Sequence, residues 1–158
     1  LYTDPAAEKL FADRTDKEAY RLMMETTLEN VRTSDCFQTL GHLDYVVRYG
    51  KSREKEYSYT DYADIIDEIL KLLIEKEKGL EVNSAGLKYG LPFAHPHPDV
   101  LKRYRELGGE IITVGADAHA PEHVGFAFEK VPQILKDAGF IYYTVFRKRK
   151  PEFIKIED

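Results

Sequence analysis

The sequence predicts an α/β fold with parallel strands, and three observations support that prediction. Short runs of β-branched and aromatic residues alternate along the chain with longer segments of helical period. Glycine follows several of the helical segments, where it favours helix termination. Polar side chains follow the strand-like runs, as they do at the carboxyl ends of strands in α/β enzymes. The length of 158 residues allows one globular domain or part of one.

The first half of the chain contains two predicted helices. Apolar residues recur at helical spacing in both, and Thr15 with Glu18 forms a capping box before the first helix. Gly79 is expected to end the second helix. In chain order, the predicted elements are a helix at 17–32, a strand at 37–40, a polar loop at 51–59, a helix at 61–78 and a strand at 80–83.

The second half continues the same alternation. Gly108 and Gly109 end one predicted helix, and Gly139 ends the next. The last run is rich in aromatic and β-branched residues, so we interpret it as a core strand. In chain order, the predicted elements are a helix at 98–107, a strand at 110–114, a helix at 129–138 and a strand at 140–146.

A pair of polar residues follows each of the first three predicted strands. Because the carboxyl ends of parallel strands meet at one edge of a sheet, the three pairs are expected to face the same side. In chain order, the pairs are His42 with Asp44, Asn83 with Ser84, and Asp117 with His119.

The Asp117-x-His119 pair suggests a metal site. Imidazole nitrogen and carboxylate oxygen are ligands for zinc, manganese or iron, and this spacing lets two ligands reach an ion from one turn. The alternative is that Asp117 caps a helix beginning near Pro121 and that His119 lies on the surface. The Gly-His-Leu-Asp sequence at 41–44, after another strand, favours the metal site.

Composition argues against several classes of protein. The net charge of −5 disfavours a nucleic-acid partner, and no apolar run reaches the roughly 20 residues of a membrane span. The single cysteine, Cys36, excludes a disulfide within the chain and suits a reducing cytoplasm. The basic cluster 147–150 is predicted to be a solvated end.

Four segments resemble histidinol-phosphatases of the PHP (polymerase and histidinol phosphatase) family. They occur in the family's order, at 41–50 (GHLDYVVRYG), 80–87 (LEVNSAGL), 95–125 and 139–156. The resemblance implies a metal-dependent phosphatase that hydrolyses L-histidinol phosphate to L-histidinol and phosphate in histidine biosynthesis. It also implies a distorted (β/α)7 barrel related to the TIM barrel.

The resemblance also implies that residues 1–158 are the C-terminal part of a single PHP domain. PHP proteins begin with a His-x-His motif on their first strand, and His95-Pro96-His97 has that spacing but lies in the wrong place. The expected partner is therefore the missing N-terminal segment or a second copy of the chain, since half a barrel leaves open sheet edges.

Several site residues are implied by position in the family motifs. The expected metal ligands are His42, Asp117 and His119, the expected substrate contacts are Arg48 and Asn83, and the expected proton donor is His97. Asp44 is expected to orient an imidazole, and Glu81 to order its neighbours. Two alternatives stay open: another phosphoesterase of the PHP family, or a non-catalytic fragment.

Overall fold

The computed structural model describes residues 9–157, and a small parallel sheet lies at its centre. The helices are α1 (Asp16–Thr33), α2 (Ala63–Glu75), α3 (Ala85–Lys88), α4 (Pro98–Glu106) and α5 (Val131–Asp137). The strands are β1 (Thr39–Leu40), β2 (Gly79–Asn83), β3 (Ile112–Gly115), β4 (Tyr142–Arg147) and β5 (Lys150–Lys155). Among the described residues, no helix is both long and apolar enough to cross a membrane.

The predicted parallel sheet is confirmed for the first three strands. Strand β2 is central, and β1 and β3 pair with it in parallel on either side. The register places Leu80 opposite both Leu40 and Ile112. Because side chains alternate along a strand, this register gives each face of the sheet one chemical character.

One face of the sheet is apolar and belongs to the core. Leu80, Val82 and Ile112 lie on it and are fully buried in a cluster that includes residues of α2 and α4. The helical period of α2 supplies Ile66 and Ile69 to the same cluster. Burial of this face is therefore the main reason that the helices cover one side of the sheet.

The opposite face of the sheet is polar. Glu81 and Asn83 of β2 lie on it, and Thr39 and Thr113 reach across Gly79 to form a hydrogen bond of 3.0 Å between their hydroxyl groups. Glycine between two threonines leaves the room for that contact. Polar side chains gain little hydrophobic free energy from lying on this face. Folding stability alone therefore does not explain why they are there.

A capping box stabilises the start of α1, and an ion pair joins α2 to α4. The predicted capping box of α1 is confirmed, since Glu18 N–H donates to Thr15 Oγ1 and Thr15 N–H donates to Glu18 Oε2. Arg103 of α4 donates to Asp67 of α2 from both Nε and Nη2, which joins these two helices. The Arg103 hydrogen bonds hold the pKa of Asp67 below its ordinary value.

The last predicted strand is real, but its pairing is different from the prediction, and it is not a core strand, since only Thr144 of its six residues is buried. Strand β4 is not a further parallel strand; it pairs antiparallel with β5, which the sequence pattern did not predict. Thr144 Oγ1 accepts from Ile112 N–H and so connects the hairpin to β3. The two-residue turn at Lys148 and Arg149 has positive φ at both positions, a geometry that suits a tight hairpin.

The predictions for segments 147–150 and 51–59 need correction, because backbone hydrogen bonds give both segments regular structure. The basic cluster 147–150 is exposed as expected, but it forms the turn of the hairpin and not a solvated end. The segment 51–59 is not a simple polar loop, because it contains a 3-10 helix at Arg53–Glu56. Tyr57 in that segment is buried and packs against Tyr20 and Tyr62.

Candidate active site

Two turns bring the candidate residues to the carboxyl end of the sheet. His42 follows β1 and Asp117 follows β3, and both have positive φ, 27° and 46°. Residues other than glycine adopt this conformation at a cost of roughly 1–3 kcal/mol, and such strain is concentrated at functional sites. Sharp turns directly after the strands therefore aim these two side chains over the end of the sheet.

Glu81 lies at the centre of this edge and links its parts. Its Oε2 accepts from the backbone N–H of His42 and from Asn83 Nδ2, each at 2.9 Å. A side chain at position 115 would collide with Glu81 Oε1, so Gly115 is needed to make room for the carboxylate. The expectation that Glu81 orders its neighbours is thus supported by its contacts.

Arg48 lies beside Asp117 in an aromatic enclosure. Its guanidinium carbon is 4.3–5.4 Å from the ring centres of Tyr89, Tyr49 and Tyr45. Nη1 is 3.5 Å from Asp117 Oδ2, and Nη2 donates to the Tyr49 hydroxyl at 2.9 Å. The side chain is only 6% exposed, and its Nε has no hydrogen-bond partner within the described part of the chain. Tyr45, Tyr49 and Tyr89 therefore line the part of the site that surrounds Arg48.

Lys88 fixes the loop that carries Asp117. Its Nζ donates to the carbonyl oxygens of Asp117, at 2.9 Å, and of Ala116, at 3.3 Å. Burial lowers the pKa of Lys88, and the nearby Arg48 acts in the same direction. The pair Arg48 and Lys88 thus places two positive groups next to the Asp117 carboxylate.

Burial also lowers the pKa of His42, while the negative charges of Asp117 and Glu81 act in the opposite direction. A neutral imidazole at neutral pH is the form that coordinates metal ions. Its Nδ1 is buried without a hydrogen-bond partner in the described residues. The carboxylates of Asp117 and Glu81 therefore lie close enough to His42 for their charges to act on its imidazole.

The three predicted metal ligands are only partly brought together. His42 and Asp117 share the site, and His119 Nδ1 lies 3.0 Å from the backbone oxygen of Asp117 with 45% of its side chain exposed. Across residues 9–157, no three side chains of His, Cys, Asp or Glu are grouped closely enough to hold a metal ion. The donor types fit a divalent ion, but this part of the chain does not supply a complete set.

The structural alternative for Asp117 is wrong. The segment Pro121–His123 is a short 3-10 helix whose N-cap is Ala120, and no side chain caps it. Asp117 therefore has no capping role there, and its carboxylate faces Arg48 instead.

Two further predicted residues have structural contacts of their own. Both ends of the Asn83 amide are engaged, since Nδ2 donates to Glu81 and Oδ1 accepts from Ala85 N–H. His97 is the N-cap of α4, and its Nδ1 accepts from Asp99 N–H at 3.2 Å. Direct roles of Asn83 in substrate binding and of His97 in proton donation stay predictions.

A buried pair close to the site was missed by the sequence interpretation. Asp44 Oδ1 is 2.6 Å from His95 Nδ1, and both side chains are 0% exposed. The expectation that Asp44 orients an imidazole is supported, although the imidazole lies 51 residues further along the chain. Only the His95-Pro96-His97 spacing marked this region, and it gave no sign of which histidine Asp44 contacts.

Comparison with known sequences gives consistent matches. The model of the PHP domain matches residues 2–85. A probable histidinol-phosphatase of Thermotoga maritima is 40% identical over 72% of this chain and 46% of its own length. A histidinol-phosphatase of Lactococcus lactis is 31% identical over 90% of this chain and 52% of its own length. The chain thus spans about half the length of the curated relatives it matches.

Comparison with solved structures supports the fold. A crystal structure of histidinol phosphate phosphatase from Lactococcus lactis, complexed with zinc, L-histidinol and phosphate, matches 91% of this chain and 54% of that one. The TM-score is 0.79 and the sequence identity 31%. A putative histidinol phosphatase from Listeria monocytogenes, 17% identical with a TM-score of 0.63, shares the fold.

Proposed function

The chain belongs to the PHP family, and on that premise we propose that it forms part of a metal-dependent phosphomonoesterase hydrolysing L-histidinol phosphate to L-histidinol and phosphate. The chain is then the C-terminal part of a PHP domain with the distorted (β/α)7 barrel. The crystal structure of the Lactococcus lactis relative with zinc, L-histidinol and phosphate supports this reaction. The share of the relatives that the chain covers leaves room for an N-terminal segment.

The placement of Arg48 carries the proposal. An arginine that is 6% exposed, stacked on tyrosines and beside a carboxylate is already desolvated and oriented. Its buried Nε lacks a partner in the part of the chain that the structure describes. A phosphate oxygen satisfies such a donor with the short, charge-assisted hydrogen bond that guanidinium forms well.

His42, Asp117 and His119 would hold the metal ions, and ligands from an N-terminal segment would complete the set. The expected ions are zinc, manganese or iron, because the donors are imidazole and carboxylate. A bound ion of this kind supplies charge neutralisation for the transferring phosphoryl group and activates water. Glu81 fixes the turn at His42 by accepting its backbone N–H, and Lys88 fixes the turn at Asp117.

The substrate ester has a simple place in this arrangement. Arg48 binds the phosphate and keeps it beside Asp117, while the tyrosine rings exclude water from one side of the guanidinium. His97 stays the predicted proton donor to the leaving hydroxyl, and Asn83 a predicted substrate contact. The cytoplasmic location inferred from Cys36 also stays a prediction.

Phosphate release from L-histidinol phosphate tests the proposal. The protein in its natural form should release phosphate with zinc or manganese, lose this activity with a chelator, and regain it on metal addition. Asp117→Asn should abolish turnover, whereas His123→Gln, a histidine outside the site, should not change it. Faster release from nucleotides than from L-histidinol phosphate would favour another PHP phosphoesterase and reject this substrate.

A second candidate is a non-catalytic fragment that requires its N-terminal segment. The described residues leave an apolar groove of about 480 Å³ between α5 and the hairpin, lined by Phe128, Val131 and Ile154 among others. Phe128 is 40% and Ile154 is 37% exposed, as expected for a surface that another segment covers.

Oligomeric state and metal content distinguish this candidate from the enzyme. The 158-residue chain alone should form dimers or bind an added N-terminal segment, with zinc binding restored only in the latter case. A monodisperse monomer in light scattering, unchanged by the added segment, would contradict this candidate.

A further inference from the structure

The Asp44–His95 pair is buried, and its hydrogen bonding leaves one nitrogen available. Asp44 Oδ1 contacts His95 Nδ1 at 2.6 Å, while its Oδ2 accepts from the backbone N–H of His97 at 2.7 Å. A carboxylate only accepts hydrogen bonds, so a proton lies on His95 Nδ1, and in the neutral imidazole Nε2 is then an acceptor. That Nε2 is fully buried and has no partner among the residues that the structure describes.

Backbone pairing places the side chain of His95 on the polar face of the sheet. His95 and Asn83 exchange both backbone hydrogen bonds, at 2.7 and 2.8 Å, as an antiparallel pair. Residues directly opposite each other in such a pair have side chains on the same face. The imidazole of His95 therefore lies on the face of Asn83, whose amide contacts the same Glu81 oxygen as the backbone of His42.

Among the described residues, His42 lacks a hydrogen-bond acceptor for its Nδ1. Asp44, only two residues further along, brings His95 to the same turn. His42 Nδ1 is buried without a partner in the described range. When a histidine coordinates a metal through Nε2, its Nδ1 carries the proton and needs an acceptor.

We propose that His95 is a positioning residue for His42: one water accepts a hydrogen bond from His42 Nδ1–H and donates to His95 Nε2, in the series Asp44–His95–His42. This inference rests on the proposed function, in which His42 coordinates the metal through Nε2. The series fixes the tautomer and the ring orientation of His42 before a metal binds. His95 itself contacts neither metal nor substrate.

Two substitutions at one position test the role of Nε2 while keeping the fold. In His95→Asn the amide nitrogen replaces Nδ1 and preserves the bond to Asp44, but nothing replaces Nε2. In His95→Gln the side-chain amide reaches the position of Nε2, and its oxygen can accept from the same bridging water. We expect His95→Asn to weaken zinc binding by roughly 10- to 100-fold and His95→Gln to restore much of it.

The tautomer of His42 is measured separately in the metal-free protein by ¹⁵N NMR of histidine-labelled samples. Wild type should show His42 protonated at Nδ1, and His95→Asn should shift the population toward protonation at Nε2. His123→Gln, labelled in the same way, should leave both the His42 signal and zinc affinity unchanged.

The outcomes separate this inference from the function on which it rests. Absence of zinc binding by the wild-type protein in its natural form rejects the proposed metal site, while the metal-free tautomer still tests the series. An unchanged tautomer in folded His95→Asn, with zinc affinity equal to that of wild type, overturns the role of His95. Asp44→Asn should reproduce the effect of His95→Asn, and an effect of His95→Asn alone would also overturn the series.

Discussion

The two faces of the β1–β3 sheet have different chemistry although the same backbone carries them. One face presents Leu80, Val82 and Ile112, each 0% exposed in the apolar core. The other presents Glu81 and Asn83, with room left by glycine. Along β2, neighbouring residues alternate between the two faces, so each face can be changed separately.

The apolar face stabilises the fold, whereas the polar face supplies the side chains of the candidate site. The apolar face explains stability, because burial of apolar area is the main favourable term in folding. The polar face and the loops at its carboxyl end carry desolvated groups that fold stability does not require, including a buried guanidinium nitrogen and two buried imidazole nitrogens without partners in residues 9–157. Unsatisfied buried polar atoms are costly, and a bound ligand or bridging water would satisfy these three; the other three in the described residues belong to Arg53, Glu54 and Tyr57.

The largest expected effect comes from the apolar face. Leu80→Ala removes buried methyl groups and leaves a cavity, so it should lower the free energy of unfolding by about 2–5 kcal/mol. Zinc affinity of the molecules that remain folded should be unchanged. Denaturant unfolding followed by circular dichroism measures the first quantity, and a large loss of zinc affinity would show that the two faces are not separable.

Arg48→Lys tests the polar face directly. Lysine keeps the charge but cannot form two parallel hydrogen bonds to a phosphate, and it stacks less well on the tyrosines. Loss of such an oriented donor lowers kcat/KM by roughly 100-fold, with little change in the unfolding midpoint. Steady-state phosphate release measures the effect, and Lys102→Arg on the surface of α4 is the control. Full activity in Arg48→Lys would argue against a phosphate contact.

Gly115→Ala should disturb the polar face by crowding. The added methyl group collides with Glu81 Oε1, so the carboxylate has to move, and overpacking of this kind costs about 1–3 kcal/mol. Gly41→Ala is the matched control, because its Cβ lies 3.3 Å from Glu81 Oε2 and requires only a small adjustment. Equal losses of activity and stability in the two variants would mean that the position of the Glu81 carboxylate does not matter for the site.

Thr15→Ala removes a helix cap that is remote from the site. Loss of the Thr15 side chain from the capping box should lower the free energy of unfolding by about 1 kcal/mol. Thermal unfolding measures the change, and phosphate release should stay the same. A marked loss of activity would indicate that α1 transmits strain to the polar face.

The smallest effect is expected from the Asp67–Arg103 ion pair in the helix layer. Arg103 lowers the pKa of Asp67 below 3.8, so its stabilisation is present above the unfolded value and is lost as pH falls through the folded value. Arg103→Met should therefore reduce the loss of stability that occurs as pH falls below about 4. Acid unfolding curves of both proteins measure this, and identical curves would exclude the linkage.

Local patterns predicted much of this molecule. The capping box at Thr15 and the polar residues after β1 and β3 were sufficient to place α1 and the edge that carries His42 and Asp117. Each of these signals acts over a few residues, so spacing alone can reveal it. The prediction that Gly79 ends the second helix was wrong, because α2 ends at Glu75, Glu77 adopts the positive φ, and Gly79 is the first residue of β2.

Other features depend on contacts between distant residues. The pairing of β4 with β5 is set by a turn in which Lys148 and Arg149 adopt positive φ, a conformation that basic residues do not signal. The bond between Asp44 and His95 spans 51 residues, and the cap formed by His97 depends on how that loop returns to the sheet. No periodic pattern encodes such contacts.

Anomalous diffraction at the zinc edge, on crystals of the protein in its natural form grown with zinc and phosphate, tests the central claim most directly. We expect zinc peaks at the imidazole of His42 and the carboxylate of Asp117, with phosphate against the guanidinium of Arg48. Zinc bound elsewhere, or phosphate away from Arg48 with these side chains free of metal, would contradict the assignment of the polar face as the active site.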